Sequence, residues 1–207
     1  MFVKYSALIS TAFTYSITNS TNSTDLHVTS DFSSTSSCYP TLGFTDTTSS
    51  AKSVLTITNF HVSGDILFEG TAGGYFYCAS IIGYWRSAGD SAYTMKMTNC
   101  SNSGNITVRG ALKNRPAIGG IMAYNSGNNA ELTDVTNTGN ISVCNTNTDA
   151  QANWAAVGGI TGYDGQEPPM TNCKNSGNIT VTGNWSREGQ TYPIRVGGIV
   201  GYPNSFA

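Results

Sequence analysis

A 14-residue segment recurs along the chain, and this repeat constrains the fold more than any other feature of the sequence. The clearest copies are MTNCSNSGNITVRG from Met97, LTDVTNTGNISVCN from Leu132 and MTNCKNSGNITVTG from Met170. Two divergent copies begin at Ile17 and Ile57 and align with these without gaps. Such tandem repeats are typical of solenoids, in which each copy buries its apolar face only by stacking on its neighbours. One stacked copy is called a rung below.

A second motif follows each copy after an insert of variable length. It reads IGGIMAY from Ile118, VGGITGY from Val157 and VGGIVGY from Val196, with weaker forms from Cys38 and Cys78. One position of this motif recurs every 39 or 40 residues and holds Gly43, Gly83, Ala123, Gly162 and Gly201. We therefore predict one tandem-repeat domain over 1–207, divergent over 1–94 and regular over 95–207, which forms part of a longer array or fibre.

Apolar and polar residues alternate in the second half of the repeat. Three aligned columns are apolar in every copy: Ile17, Ile57, Met97, Leu132 and Met170; Leu26, Ile66, Ile106, Ile141 and Ile179; and Val28, Phe68, Val108, Val143 and Val181. The residues between the last two columns are mostly polar, and this period of two predicts a strand with one buried face. Helix is disfavoured because Asn, Gly, Ser and Thr fill the intervening positions.

The predicted fold is all-β: a parallel β-solenoid, or β-helix, of about five coils of 38–40 residues. Gly104, Gly139 and Gly177 are expected to turn the chain with a positive φ. Stacking makes each column a ladder, including the Thr column (Thr18, Thr58, Thr98, Thr133 and Thr171) and the Asn column (Asn19, Asn59, Asn99, Asp134 and Asn172). A propeller-like or sandwich array is the alternative. The handedness of the solenoid is left open.

The combination of G-G-I-x-G-Y and N-C-x-N-S-G-N-I-T-V resembles the GLUG-type repeats of bacterial and protist cell-surface proteins. The motifs are strongest from about Met95 onward. In the first two copies, Thr24 replaces the turn Gly, and Tyr39-Pro40 and Ala79-Ser80 replace Gly-Gly. The resemblance implies an extracellular or cell-surface location and a role in adhesion or in extending another domain outward. It implies no catalytic residues.

Composition limits the partners. Charged residues are 11% of the chain and the net charge is −2, so no basic surface for nucleic acid or acidic lipid is predicted. No stretch approaches the ~20 apolar residues of a membrane span, so no membrane insertion is expected in this segment. The expected partners are other copies of the repeat, stacked end to end, and a glycan or a host surface protein.

The five cysteines suggest packing more than chemistry. Cys100 and Cys173 share a column two rungs apart, about 9.6 Å by the strand spacing, which is beyond disulfide reach. Cys38 and Cys78 lie one rung apart, and a disulfide between them is left open. No metal or other cofactor is expected, because the chain lacks C-x-x-C and its two histidines lie in different columns.

Seven N-x-S/T triplets are candidate glycosylation sites: Asn19, Asn22, Asn99, Asn105, Asn140, Asn178 and Asn184. Several of them lie in repeated Asn columns, where ladder bonding or turn formation explains the residue equally well. Aromatic residues in or beside the inserts are candidate ligand contacts: Tyr75, Tyr77, Trp154, Trp185 and Tyr192. They could bind a sugar ring or a protein partner, or cover the ends of the core.

We predict a non-catalytic extracellular scaffold with a structural or adhesive role, able to assemble end to end into a fibre. A carbohydrate- or host-protein-binding module that uses the loop aromatics is the alternative. A polysaccharide lyase or hydrolase of the β-helix type is disfavoured, because the acidic residues are scattered and form no cluster on one face. An ice-binding solenoid is also disfavoured, because Leu67 and His27 interrupt the outward polar pairs.

Overall fold

A computed structural model describes residues 3–5, 14–32, 36–38, 42–44, 53–85, 93–127, 129–148, 154–185 and 194–203. Every regular element in these ranges is a β-strand. No helix in this part of the chain is long and apolar enough to cross a membrane.

The described strands are short, except where one strand runs through an insert. They are β1 (Val3–Tyr5), β2 (Thr14–Asn22), β3 (Leu26–Phe32), β4 (Ser36–Cys38), β5 (Leu42–Phe44), β6 (Ser53–Val62), β7 (Ile66–Ala79), β8 (Ile82–Trp85), β9 (Tyr93–Thr98), β10 (Ser101–Asn102), β11 (Ile106–Gly119), β12 (Met122–Asn125), β13 (Ala130–Thr133), β14 (Thr136–Asn137), β15 (Ile141–Asn145), β16 (Ala155–Gly158), β17 (Thr161–Asp164), β18 (Met170–Thr171), β19 (Lys174–Asn175), β20 (Ile179–Gly183), β21 (Ile194–Gly197) and β22 (Val200–Pro203).

The strands form three sheets, and every pair within them is parallel. One sheet runs β1-β5-β8-β12-β17-β22. The second runs β18-β13-β9-β6-β10-β14-β19, with β2 beside β6, and the third runs β20-β15-β11-β16-β21, with β7 beside β11 and both β3 and β4 beside β7. Each strand therefore pairs with its counterpart one repeat away. This confirms the parallel β-solenoid and excludes the propeller-like or sandwich array, whose neighbouring strands are mainly antiparallel.

The register confirms the aligned columns. Ile106 pairs with Ile66 on one side and with Ile141 on the other, and the Thr column pairs in the same way, as Thr58 does with Thr18 and Thr98. The described residues make about four turns, compared with the five coils counted in the sequence. Parts of the first coil, 33–35, 39–41 and 45–52, lie outside the described residues.

The buried side chains form two main apolar clusters inside the stack. The first contains Leu55, Ile57, Met97 and Ile121, which come from the sheets of β6 and β12 or their flanking turns. The second lies along β7, β11 and their neighbours, and contains Phe68, Phe76, Val108, Val143 and Val157. Because each apolar column runs from rung to rung, every inner rung buries its apolar side chains against the rungs on both sides.

The turn glycines are required for a reason other than the predicted one. Gly104, Gly139 and Gly177 do not have a positive φ, so that expectation was wrong. A Cβ on Gly139 would instead overlap the carbonyl group of Gly104 in the preceding rung. The same contact recurs from Gly104 to Gly64. Glycine is therefore needed here because stacked backbones approach too closely for any side chain.

The positive φ falls on the Asn column, which we call the corner ladder: Asn19, Asn59, Asn99, Asp134 and Asn172, with φ of 51° to 59°. Asn and Asp tolerate this left-handed conformation better than most other residues. The amide of Asn59 donates to Oδ1 of Asn19, and Asn99 donates to Oδ1 of Asn59, both over 2.8 Å. One side chain therefore both turns the chain and links neighbouring rungs.

A second amide ladder, the inner ladder, contains Asn102, Asn137 and Asn175. Asn102 Nδ2 donates to Asn137 Oδ1, and Asn137 Nδ2 to Asn175 Oδ1, both over 2.8 Å. Each amide also donates to a carbonyl two residues later in its own rung. Val62 is the register partner of Asn102 on the preceding rung, and the buried Oδ1 of Asn102 has no hydrogen-bond partner. The valine interrupts the ladder, so the acceptor that would continue it receives no donor.

The glycine contact predicts that Gly139→Ala lowers the free energy of unfolding by about 2 kcal/mol, because overpacking forces neighbouring backbones apart. Thr24→Ala is the matched control, since Thr24 holds the same column in the first copy and is exposed. We expect it to change stability by less than about 0.5 kcal/mol. Urea unfolding followed by circular dichroism measures both. Equal losses for the two variants would contradict the close-approach explanation.

The inner ladder predicts that Asn137→Ala costs about 3 kcal/mol, because it removes two donated bonds and leaves Asn102 Nδ2 without its acceptor on the next rung. Asn175→Ala should cost about 1 kcal/mol, since Asn175 is only half-buried and water can replace its partners. The comparison uses equilibrium unfolding of the two variants. A loss for Asn175→Ala as large as that for Asn137→Ala would show that the ladder does not act as argued.

Candidate functional site

A line of stacked tyrosines runs along the sheet that contains β8, β12, β17 and β22. We call it the tyrosine ladder: Tyr84, Tyr124, Tyr163 and Tyr202. Successive ring centroids lie 5.2, 4.4 and 5.2 Å apart, with interplanar angles of 22°, 11° and 40°. All four side chains are half-buried. The ladder arises because each Tyr follows an inward-facing residue and a small residue at the same place in every rung.

Stacking occupies the faces of the ladder rings. Each inner ring has a neighbouring ring on both sides, so mainly its edge and its hydroxyl remain for other partners. At the last rung, the guanidinium carbon of Arg195 lies 3.5 Å from the centroid of Tyr202 and covers that ring. A sugar ring that needs an open aromatic face therefore finds little of it on the ladder itself.

Further aromatic residues flank the tyrosine ladder. Trp154 lies 5.0 Å from Tyr163 and 5.1 Å from Tyr202, measured between ring centroids. At the other end, Tyr77 lies 5.0 Å from Tyr84 and stacks on Tyr75 at 6.3 Å. The guanidinium of Arg115 lies 5.8 Å from the ring centroids of both Tyr75 and Trp154. We call the whole surface the aromatic strip: Tyr75, Tyr77, Trp154, the tyrosine ladder, Arg115 and Arg195.

The structure brings together three of the five predicted ligand-contact residues. Tyr75 and Trp154 lie on the aromatic strip, and Tyr77 lies there too but is only 7% exposed. Trp185 takes the other role that the sequence left open for these aromatics: it is 7% exposed, packs in the second apolar cluster and donates Nε1–H to the carbonyl of Thr182 over 2.9 Å. It lies just after β20 and covers the end of the core. Tyr192 lies outside the described residues.

Sequence reasoning missed the tyrosine ladder. The signal was available, since the second motif ends in Tyr in four of its five copies. The period of the motif was argued from its glycine position, and the Tyr that follows it was not considered as a ladder. Arg115 gave no such signal, because it lies in an insert whose length and composition change from copy to copy.

The scattered carboxylates are held in rung-to-rung hydrogen bonds. One such set is the turn ladder: Asp25, Asp65, Asn105, Asn140 and Asn178. The backbone N–H of each later member donates to the side-chain Oδ1 of the member before it, over 2.7 to 3.1 Å. Asp31 accepts from the N–H of Thr71 over 2.9 Å. At the surface, Glu69 bonds His27 and Glu131 pairs with Lys96. These acids stabilise the stack.

The glycosylation candidates differ in what their amides do. Asn99, Asn105 and Asn140 each donate Nδ2–H to the preceding rung. The Asn19 side chain accepts from the next rung, and Asn178 donates its backbone N–H to Oδ1 of Asn140 on the preceding rung. Asn22 is half-buried and accepts from the N–H of Thr24, and Asn184 bonds Asn145 through its backbone N–H. Glycosylation of Asn99, Asn105 or Asn140 would compete with a ladder bond.

The cysteines lie in the columns that the sequence alignment gave them. Cys38 and Cys78 are register partners on β4 and β7, as the column alignment predicted, and their disulfide stays an open prediction. Cys100 is buried, and burial raises the pKa of its thiol. Burial also raises the pKa of the half-buried Cys173 thiol. In the described part of the chain, no three His, Cys, Asp or Glu side chains group as metal ligands.

Asp164 is the one acidic side chain among the described residues that is nearly fully buried, at 2% exposed. Its Oδ1 accepts from Asn125 Nδ2 over 3.0 Å and from the backbone N–H groups of Gln166 and Glu167 over 3.3 and 3.1 Å. Burial raises the pKa of the Asp164 carboxyl more than these bonds lower it. Its register partner on the preceding rung is Asn125, which makes the same kind of turn bond to Gly127.

Comparisons with known proteins give no family for the chain: no family model, no curated protein and no solved structure matches it. The resemblance to GLUG-type repeats therefore stays a prediction drawn from the motifs.

Asp164→Asn is expected to raise the free energy of unfolding at neutral pH, because Asn keeps the Oδ1 acceptor and removes a buried charge. The pKa of Asp164 is raised in the folded protein. Below the ordinary Asp pKa the carboxyl is protonated in both the folded and the unfolded state, so the wild type loses no stability there. Its cost appears as pH rises through the raised pKa. The advantage of the variant should therefore vanish in acid, as urea titrations across this range would show. Asp65→Asn controls for loss of a surface carboxylate, and the same pH dependence in that control would contradict the assignment.

Proposed function

We propose that this chain is a non-catalytic extracellular scaffold, similar to GLUG-type surface repeats, that displays an adhesive surface on a stiff stack of rungs. The observation that carries the proposal is the set of side-chain ladders that run along the stack. The tyrosine ladder, the corner ladder, the inner ladder and the turn ladder each tie several successive rungs together. A stack held along several lines resists bending and local opening.

Most polar side chains of the repeat serve this internal role. The amides and carboxylates of the corner and turn ladders are largely bonded to neighbouring rungs. The aromatic strip differs, because its half-buried rings and two guanidinium groups form one surface along the stack. Aromatic residues and Arg are the side chains most enriched in binding interfaces. The strip is therefore the surface that we assign to adhesion to a glycan or a host surface protein.

End-to-end assembly into a fibre also remains a prediction, and the two ends of the stack differ in their support for it. The last described rung leaves apolar columns open, since Val196 is 50% exposed while Val157 below it is fully buried. At the first described rung, Thr24 stands where later rungs have glycine. An incoming rung in register would place its carbonyl against that side chain, as the Gly64 and Gly104 contacts show. A head-to-tail contact would join the last described rung of one copy to the Thr24 rung of the next, so the Thr24 side chain has to shift before such a fibre forms.

A polysaccharide lyase or hydrolase is the alternative that a single experiment separates from the proposal. The whole chain is applied to an array of neutral and acidic glycans and of surface proteins, and the bound material is assayed for release of reducing ends. We expect retention on at least one class of ligand without release of reducing ends. Release would overturn the non-catalytic proposal, and retention on no ligand would overturn the adhesive part of it.

A further inference from the structure

Arg115 lies in an irregular part of β11, the long strand that crosses the insert of the third copy. The pairing of β11 with β7 shifts register between Leu112 and Asn114 and again between Asn114 and Pro116. Arg115 itself has a φ of 35°, although it is not glycine and precedes a proline. Both features cost free energy, and bulges of this kind commonly redirect a side chain. The local backbone therefore holds this side chain in a direction that a regular strand would not give it.

The redirected guanidinium lies between two aromatic rings. Its carbon is 5.8 Å from the ring centroids of Tyr75, on β7 of the preceding rung, and Trp154, just before β16 of the following rung. The Arg115 side chain is exposed, and no carboxylate in the described residues forms a salt bridge with it. Cation–π contacts fix its position but do not use its N–H groups. A positioned, exposed guanidinium of this kind is suited to binding a carboxylate through two parallel hydrogen bonds.

We propose that the aromatic strip binds a linear acidic polysaccharide, with a uronate carboxylate on Arg115 and sugar rings against Tyr75 and Trp154. The inference rests on the proposed adhesive function and names its ligand class. Charge complementarity supports it, because the strip contains Arg115 and Arg195, while Asp65 and Glu131 are engaged in a ladder bond and a surface pair and Asp164, next to Tyr163, is buried. Tyr75 is also the most exposed aromatic ring of the strip, at 36%.

The periodicity of the strip favours a polysaccharide over an acidic peptide. The tyrosine ladder repeats every 4.4 to 5.2 Å along the stack, and one pyranose ring with its glycosidic bond is of the order of one rung in length at the ~4.8 Å strand spacing. An extended peptide presents side chains on one face only every ~6.6 Å, so its residues fall out of step with the rungs. The edges and hydroxyls of the ladder rings therefore recur at a spacing that a sugar chain can match rung by rung.

The test measures binding of the whole chain to oligogalacturonate by isothermal titration calorimetry. The same oligosaccharide with its carboxyl groups methyl-esterified is the control ligand. We expect binding of the free acid that weakens with added salt, and much weaker binding of the ester. No binding of the free acid, or equal binding of both forms, would overturn the proposal. Retention of other glycans in the array experiment would then leave the adhesive function standing.

Variants test whether the carboxylate of the ligand binds Arg115. Arg115→Gln should weaken binding by roughly 10- to 100-fold, the effect of losing a charge-assisted hydrogen-bonded pair. Arg109→Gln is the matched control, since it removes the same charge from an exposed position on the same strand, and we expect a change of less than about threefold. Arg115→Gly should bind as poorly as Arg115→Gln yet unfold at higher urea concentration, because glycine accepts the positive φ.

Two outcomes would overturn the site or its ligand. Equal weakening by Arg109→Gln and Arg115→Gln would show attraction by general charge, not by a positioned guanidinium. Binding of poly-glutamate or of a sulfated glycan that is tighter than that of oligogalacturonate, and lost in Arg115→Gln, would assign the site to a different ligand class.

Discussion

The structure depends on the placement of each residue above its counterpart one repeat away. Parallel pairing at the strand spacing makes neighbours of residues such as Ile66, Ile106 and Ile141, which are 35 to 40 positions apart in the sequence. Each inner side chain must therefore pack against its counterparts on both the preceding and the following rung. This explains why apolar residues recur in the core columns, and why Asn and Tyr recur where like side chains can bond or stack on each other.

Close stacking also sets where the repeat cannot vary. Gly139 cannot carry a side chain, because the carbonyl of Gly104 occupies that space. Exceptions are informative: Thr24 stands in this column in the first described rung, and Val62 leaves an amide oxygen of Asn102 without a partner. Both departures lie in the divergent first half of the chain, so the irregular copies are those in which fewer ladders continue.

The same geometry separates the parts of the surface that serve the stack from the part that can serve a partner. The corner and turn ladders bond largely to themselves, and the faces of the inner tyrosine rings are covered by each other. Arg115 departs from this rule, since a bulge and a positive φ place it between two rings with its donors exposed. The insert that contains Arg115 therefore supplies an exposed, positioned cation that the repeat itself does not.

The sequence by itself determined the solenoid, the strand register and the Thr and Asn columns, because a repeat without gaps fixes which residues stack. It also indicated that Tyr75 and Trp154 are surface aromatics. It did not reveal the tyrosine ladder. It did not reveal that the positive φ falls on Asn99 and not on Gly104, since both residues tolerate that conformation and only the path of the stacked backbone selects between them. It likewise left open whether Trp185 contacts a ligand or covers the core, as it does. Inserts of unequal length have no common register, so the environment of Arg115 and Trp185 was decided only by the tertiary structure.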